Sequence, residues 1–222
     1  MQQSPVRPPY EPLSELETQV PTSQRLLSKQ RTRQKVMEAA RALFSEHGYE
    51  AATIRDIARR AGMSTGAVFA NFQDKADLFE AVVAEDFERV AEIMRQAADQ
   101  AAGDPVEARL KAIFAAAYEN GFTDVPLVQA GLAHSWVRTP SAENRGRSRV
   151  KMLLAIVGDA LRDAAHKGEI RQDFDVRLVS EMLWDAYVSN YRRAAYDGWA
   201  GDRLQERLAS QIAILLAGLK KD

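Results

Sequence analysis

The sequence predicts an all-α protein of about nine helices, a small N-terminal bundle followed by a larger one. Three observations carry that expectation. Apolar residues recur at helical spacing along most of the chain, and no alternating stretch of useful strand length interrupts them. Glycines and prolines fall at intervals that cut the chain into helix-sized pieces. At 222 residues there is enough chain for two real cores. Cysteine is absent, which excludes a disulfide framework and a thiolate metal site. No apolar run approaches the ~20 residues that cross a bilayer, and the N-terminus lacks the charged-then-apolar order of a secretory leader. No membrane association and a cytoplasmic location are expected.

Residues 1–23 hold Pro5, Pro8, Pro9, Pro12 and Pro21 with little apolar periodicity, and are expected to form a disordered tail. The first helix is predicted from about Gln30 to Glu46, with Val36, Ala40, Leu43 and Phe44 inward, ending at His47-Gly48-Tyr49. Residues 53–75, TIRDIARRAGMSTGAVFANFQDK, then read as two short helices and the start of a third. Ile54, Ile57, Ala58 and Ala61 share one face of the first of these. Thr53 with Asp56 three residues on has the form of a capping box. Gly62 follows the last apolar position, where positive φ can stop a helix, and Ser64 and Asp74 suit the next two N-caps. A long helix over about 74–100 carries the stripe Leu78, Phe79, Val82, Val83, Phe87, Val90 and Met94. Helices follow at roughly 105–119, 125–138, 142–166, 175–197 and 201–220. Their breaks are marked by Gly121, Pro126, Pro140, Gly168, and Gly198 with Gly201.

Helix, glycine turn, helix is the geometry that presents a second helix to a DNA major groove. The run T-I-R-D-I-A-R-R-A-G-M-S-T-G-A-V-F-A-N-F-x-x-K-A-D-L-F closely resembles the DNA-binding signature of the TetR family of bacterial transcriptional regulators. Thr53, Ile57, Ala58, Ala61, Gly62, Ser64, Gly66, Val68, Phe72, Lys75 and Leu78 fall in register with it. Two positions depart: Phe69 stands where the family usually has tyrosine, and Asn71 where it often has histidine or tyrosine. The resemblance implies three helices for DNA and six for regulation. It places the DNA-binding domain at 24–75 and a ligand-binding and dimerisation domain at 76–222. It implies that Thr65, Gly66, Ala67 and Ala70 face base edges while Thr53, Ser64, Asn71 and Lys75 hold phosphates. Phe69 would sit at a phosphate without the usual hydroxyl. Arg31 and Arg33, beside the first helix, are expected to contact DNA as well. Charge agrees: residues 24–75 carry ten Lys and Arg against five Asp and Glu, within a chain whose net charge is −1.

Searches for other chemistry return little. There is no phosphate-cradling glycine loop and no G-x-S-x-G elbow. His166 and Glu169 have ligand-like spacing but no third partner nearby in sequence. No catalytic residue, metal or cofactor is therefore expected. Aromatic residues concentrate in the C-terminal part, either as ordinary core or as the wall of an apolar site. Phe87, Phe114, Tyr118, His134, Trp136, Trp184 and Tyr187 are the candidate lining. On the last helix Leu204, Leu208, Ile212, Leu215 and Leu219 form a stripe, which either packs on its own domain or, as the resemblance implies, builds a homodimer interface. The expected protein is a ligand-responsive regulator, a repressor that binds a palindromic double-stranded operator as a homodimer and is released by a small hydrophobic effector. The alternatives are a DNA-binding regulator without an effector, controlled by a protein partner, and a helical enzyme using the C-terminal pocket.

Overall fold

The computed structural model describes residues 20–122, 124–136 and 139–220. Residues 1–19, and with them most of the expected tail, lie outside the described residues. Among the described residues there are nine helices and no strand. They are α1 (Val20–Ala51), α2 (Ile54–Arg60), α3 (Thr65–Phe69), α4 (Lys75–Gln100), α5 (Val106–Phe122), α6 (Val125–Ser135), α7 (Pro140–Lys167), α8 (Val176–Asp197) and α9 (Gly201–Ala217). None of these helices is long and apolar enough to cross a membrane. α1 starts at Val20, inside the segment expected to be tail, and is broken at Gly48, where φ is 77° and a side chain would be strained.

The caps are where sequence dictates local structure most directly. The Thr53 hydroxyl accepts from the Asp56 N–H at 3.2 Å and donates to the Asp56 carboxylate at 2.6 Å. The Ser64 hydroxyl accepts from Ala67 N–H at 3.2 Å, and the Asp74 carboxylate accepts from Asp77 N–H at 2.8 Å. Each cap satisfies an amide that the first helical turn leaves without a partner. Gly62 takes φ of 68° in the turn between α2 and α3.

Two cores result. Val36, Ala40, Leu43 and Phe44 of α1 meet Ile57, Ala58, Val68 and Phe72, and this core runs on into Leu78, Phe79, Val82 and Val83 of α4 and Leu127 of α6. It therefore does not stop at residue 75. The second core joins Val90, Met94 and Ala98 of α4 with α5, α7, α8 and α9. Phe87 is packed against both.

A layer of specific contacts ties the two cores together. Arg41 of α1 donates to Asp86 at 3.0 Å, to Glu85 at 3.2 Å and to the Val82 carbonyl at 3.3 Å. Ser45 donates to Asp124, whose other oxygen caps α6 through Leu127 N–H. The Tyr49 ring packs at a tilt against Phe79, centroids 4.7 Å apart, and against His134 at 4.9 Å. Arg149 of α7 meets Glu80 of α4 at 3.1 Å, both largely withdrawn from solvent.

One close approach makes a direct prediction. A Cβ on Gly121 would lie 1.9 Å from the Tyr191 hydroxyl and 3.0 Å from the ring carbon that bears it. Gly121→Ala should cost about 1–3 kcal/mol by overpacking. Tyr191→Phe in the same background should recover part of it, so a double-mutant cycle read by urea denaturation should show clear coupling.

Candidate nucleic-acid interface and buried cavity

The N-terminal module exposes one face of α3. Ser64, Thr65, Gly66, Phe69 and Ala70 are exposed, Ala67 is half-buried, and Val68 turns inward to the core. Phe69 is 55% exposed, a large apolar ring held out on this face. At Gly66 an added Cβ would meet only the Ser64 hydroxyl at 3.7 Å. The fold leaves that position open, so the glycine thins the surface rather than relieving a clash.

Several residues expected to hold phosphates are already engaged. Lys75 donates to the carbonyls of Tyr49 at 2.9 Å, Ala52 at 3.2 Å and Glu50 at 3.3 Å, and lies 4.3 Å from the centroid of the Tyr49 ring. An ammonium has three protons, and all three are directed into the protein. Lys75 thus ties the C-terminal end of α1 to the start of α4. It corrects the expectation of a lysine standing free for DNA. Arg33 sits 4.2 Å over the Phe72 ring and donates to the Asn71 carbonyl at 3.1 Å, and the Asn71 amide donates to the Ala67 carbonyl at 2.9 Å. The hydroxyl proton of Thr53 goes to Asp56, whose carboxyl that bond holds below its usual range. Arg31 is exposed, as are Arg55 and Arg59 on α2, the latter 2.9 Å from Asp56. Arg60 is bound by both nitrogens to Glu46, at 2.5 and 2.6 Å.

A cavity of about 240 Å³ lies where α4 leaves the N-terminal core. α4 lines it with Val83, Asp86, Phe87 and Val90, α6 with Leu127, Val128, Gly131, Leu132 and Ser135, and α8 with Trp184, Tyr187, Val188 and Tyr191. Gly121, Val150 and Leu153 complete it. The wall is mostly apolar, with a few polar groups gathered in it. The hydroxyls of Tyr187 and Tyr191 are 3.0 Å apart. Burial pushes Tyr191 up to about 12 and raises Tyr187 well above its ordinary value, so both remain phenols. Among the described lining residues, Asp86 alone carries a full charge.

Of the seven aromatic and histidine residues proposed as lining, Phe87, Trp184 and Tyr187 face this cavity. The others do not. Trp136 is 90% exposed, because α6 ends at Ser135 and the indole stands beyond its inward face. His134 shares with Ala130 the face of α6 turned to the N-terminal core, where it meets Tyr49 and Phe79, and Leu127 reaches both that core and the cavity. Phe114 and Tyr118 are buried core beneath a shallow depression between α5 and α9, where the Tyr118 hydroxyl donates to the Tyr187 carbonyl at 3.1 Å. The residues that sequence reasoning missed are aliphatic or small: Val83, Val128, Gly131 and Leu132 with Asp86 and Tyr191. Helical period alone cannot say which of two buried faces meets a void.

The stripe on α9 is likewise internal. Leu204, Leu208, Ile212 and Leu219 are at most 5% exposed within their own chain, and Leu215 is half-buried. They are core, not a free interface. Exposed apolar side chains lie elsewhere, at Leu178 and Met182 on α8 and Ile214 on α9.

A profile of the bacterial regulatory proteins of the tetR family matches residues 36–82. Over 173 residues the chain is 30% identical to the HTH-type transcriptional repressor AcnR of Corynebacterium diphtheriae, covering 71% of this chain and 79% of that one. The chain belongs to the TetR family. It is similar also to the HTH-type transcriptional regulator UidR of Escherichia coli, 28% identical over 156 residues and covering 70% and 78% of the two chains. Its fold is like that of FadR from Bacillus subtilis, solved in complex with stearoyl-CoA, with a TM-score of 0.72 at 19% identity over 84% of this chain and 98% of that one. This TetR-family protein is thus a DNA-binding transcriptional regulator rather than an enzyme.

Lys75 and Gly66 should separate stability from DNA binding in opposite directions. Lys75→Ala removes three charged hydrogen bonds at a half-exposed site and should cost about 1–3 kcal/mol in urea denaturation. It should change the salt dependence of DNA binding little. Gly66→Ala should leave stability unchanged or raise it by up to ~1 kcal/mol, yet weaken binding to cognate duplex if backbone comes close to DNA there. A lysine variant of normal stability with a flatter salt slope would restore the phosphate role.

Proposed function

We propose that this TetR-family regulator is a cytoplasmic repressor that binds a palindromic operator as a homodimer and is released by a small, largely apolar effector. The observation that carries the reading is the double use of α4 and α6. Each presents side chains to the cavity and to the N-terminal core: on α6, Ala130 and His134 lie against that module, Val128, Gly131 and Leu132 toward the void, and Leu127 touches both. A molecule that fills the cavity and moves either wall must move the seam with α1. The α3 face would meet the major groove, Thr65 and the carbon surface of Gly66, Ala67 and Ala70 against base edges, Ser64 and Arg31 against the backbone, with Thr53, Phe69, Arg33 and Asn71 at the margin.

Two such modules must sit about 34–36 Å apart, or at a multiple, to enter successive grooves. The homodimer supplies that spacing. For its interface we propose the exposed faces of α8 and α9 around Leu178, Met182 and Ile214, since the leucine stripe is consumed inside the chain. Met182→Glu with Ile214→Glu should give a folded monomer by sedimentation and circular dichroism. Leu208→Glu should unfold the chain instead, because it buries an unpaired charge at a cost of several kcal/mol. A double variant that still sediments as a dimer would place the interface elsewhere.

The gating reading is tested by linkage. Duplexes that bind can be selected from a random-sequence pool, and candidate apolar compounds titrated with and without saturating duplex. Effector affinity should fall in the presence of operator by the factor by which effector lowers operator affinity. Equal effector affinities in the two titrations would favour a regulator that answers to a protein partner alone.

A further inference from the structure

Asp86 belongs at once to the cavity and to the seam. Its Oδ1 accepts from Arg41 of α1 at 3.0 Å and also from Arg89, one turn along α4. Among the described residues, no side chain or backbone donor meets Oδ2. The side chain is 17% exposed, and the residue lines the cavity. Its charge is felt deeper in: after burial itself, the Asp86 carboxylate is among the groups that raise the Tyr187 and Tyr191 hydroxyls. Among the described lining residues there is no lysine, arginine or histidine to meet a ligand. An anionic ligand would enter beside the Asp86 carboxylate, whose pairing with Arg41 and Arg89 is made at Oδ1 and leaves Oδ2 without a donor among the described residues. A cationic one would meet Oδ2 and compete with the arginines for the same carboxylate. The volume, about 240 Å³, lies below the usual ~300 Å³ floor for drug-sized ligands, which limits the body to something compact.

We propose that the effector is a compact apolar amine, and that its protonated nitrogen takes the Asp86 carboxylate from Arg41, so loosening the register of α1 on α4. The inference rests on the ligand-gated reading and gives it a ligand class and a trigger residue. Arg41 is well placed for that role because its other anchors are weaker holds on α4. One is Glu85, 40% exposed, and the other is a backbone carbonyl at 3.3 Å. Without the Asp86 contact, α1 keeps on this side of the seam those two and the Gln34 amide, which donates to Glu85 at 3.1 Å.

The test uses 2-phenylethylamine, 2-phenylethanol and 3-phenylpropanoate as probes, with the full-length protein, its selected duplex, and the variants Asp86→Asn and Arg41→Gln. Calorimetry should find the amine bound at least about tenfold tighter than the alcohol or the acid by wild type. Asp86→Asn, nearly isosteric, should lose that preference while binding the alcohol as wild type does. Arg41→Gln should bind the amine tighter, since the competitor is gone, and its duplex binding should no longer respond to the amine. Equal or stronger binding of the acid, or an amine affinity indifferent to Arg41, would overturn the proposal. If the alcohol lowers duplex affinity as well as the amine does, gating stands and the Asp86 trigger falls. If the amine binds through Asp86 but duplex affinity does not move, it is the gating that fails, and the release step with it.

Discussion

One helix supplies side chains to both hydrophobic cores. Leu78, Phe79, Val82 and Val83 of α4 belong to the N-terminal core, Val90, Met94 and Ala98 to the C-terminal one, and Phe87 touches each. The helix has 26 residues, about 39 Å at 1.5 Å per residue, and is hydrogen-bonded turn to turn throughout. Close-packed interiors do not deform continuously. A displacement of α4 at the cavity is therefore passed to the recognition module as a rigid shift, not absorbed between them. Everything else in the fold is arranged around this sharing: α1, α2 and α3 close on one end of α4, and α5, α7, α8 and α9 on the other.

The seam between the cores is polar in a way that its stability does not require. Buried ion pairs such as Glu80–Arg149 gain little net free energy, because desolvation offsets most of the attraction. What they contribute is alignment. A leucine can slide half a turn against another leucine at small cost, whereas Arg41 reaches Asp86 and Glu85 together in one register of α1 on α4. Ser45 on Asp124 does the same for α1 and the start of α6. Contacts of this kind favour one register over its neighbours, so the proposed switch would move the seam between discrete arrangements rather than along a continuum. That is the property a switch between two DNA affinities needs.

Local features of this fold were legible in the sequence, and long-range assignments were not. The caps at Thr53, Ser64 and Asp74 and the turn at Gly62 are decided within four residues, so pattern alone places them. The start of α1 and the partners of Lys75 are not local. Position 75 fits the family signature, yet its three acceptors lie more than twenty residues earlier, at the end of another helix. The α9 stripe shows a different ambiguity. A row of leucines at helical spacing says that one face is buried, but burial against α5 and α8 of the same chain and burial against a second copy leave the same pattern. The cavity lining fell between these cases: aromatic residues drew attention, while the void is bounded largely by valines, leucines and two glycines that carry no compositional signal.

The recognition surface is chemically thin, and this bears on how gating would work. Gly66, Ala67, Phe69 and Ala70 bring no hydrogen-bonding side chain to a base edge, leaving Thr65 as the main directional group on α3. Lys75, Arg60 and the Thr53 hydroxyl are engaged within the protein, so few free donors remain for phosphates beyond the arginines at its edge. One module of this kind holds DNA weakly. Two modules held at the right separation hold it far better, because the second binds at the high effective concentration set by the first. If the protein works as the proposed dimer, so much of the affinity would come from simultaneous engagement that a small change in separation would remove most of it at once. A rigid α4 and a seam with discrete registers can deliver that change from a cavity too small for any large rearrangement.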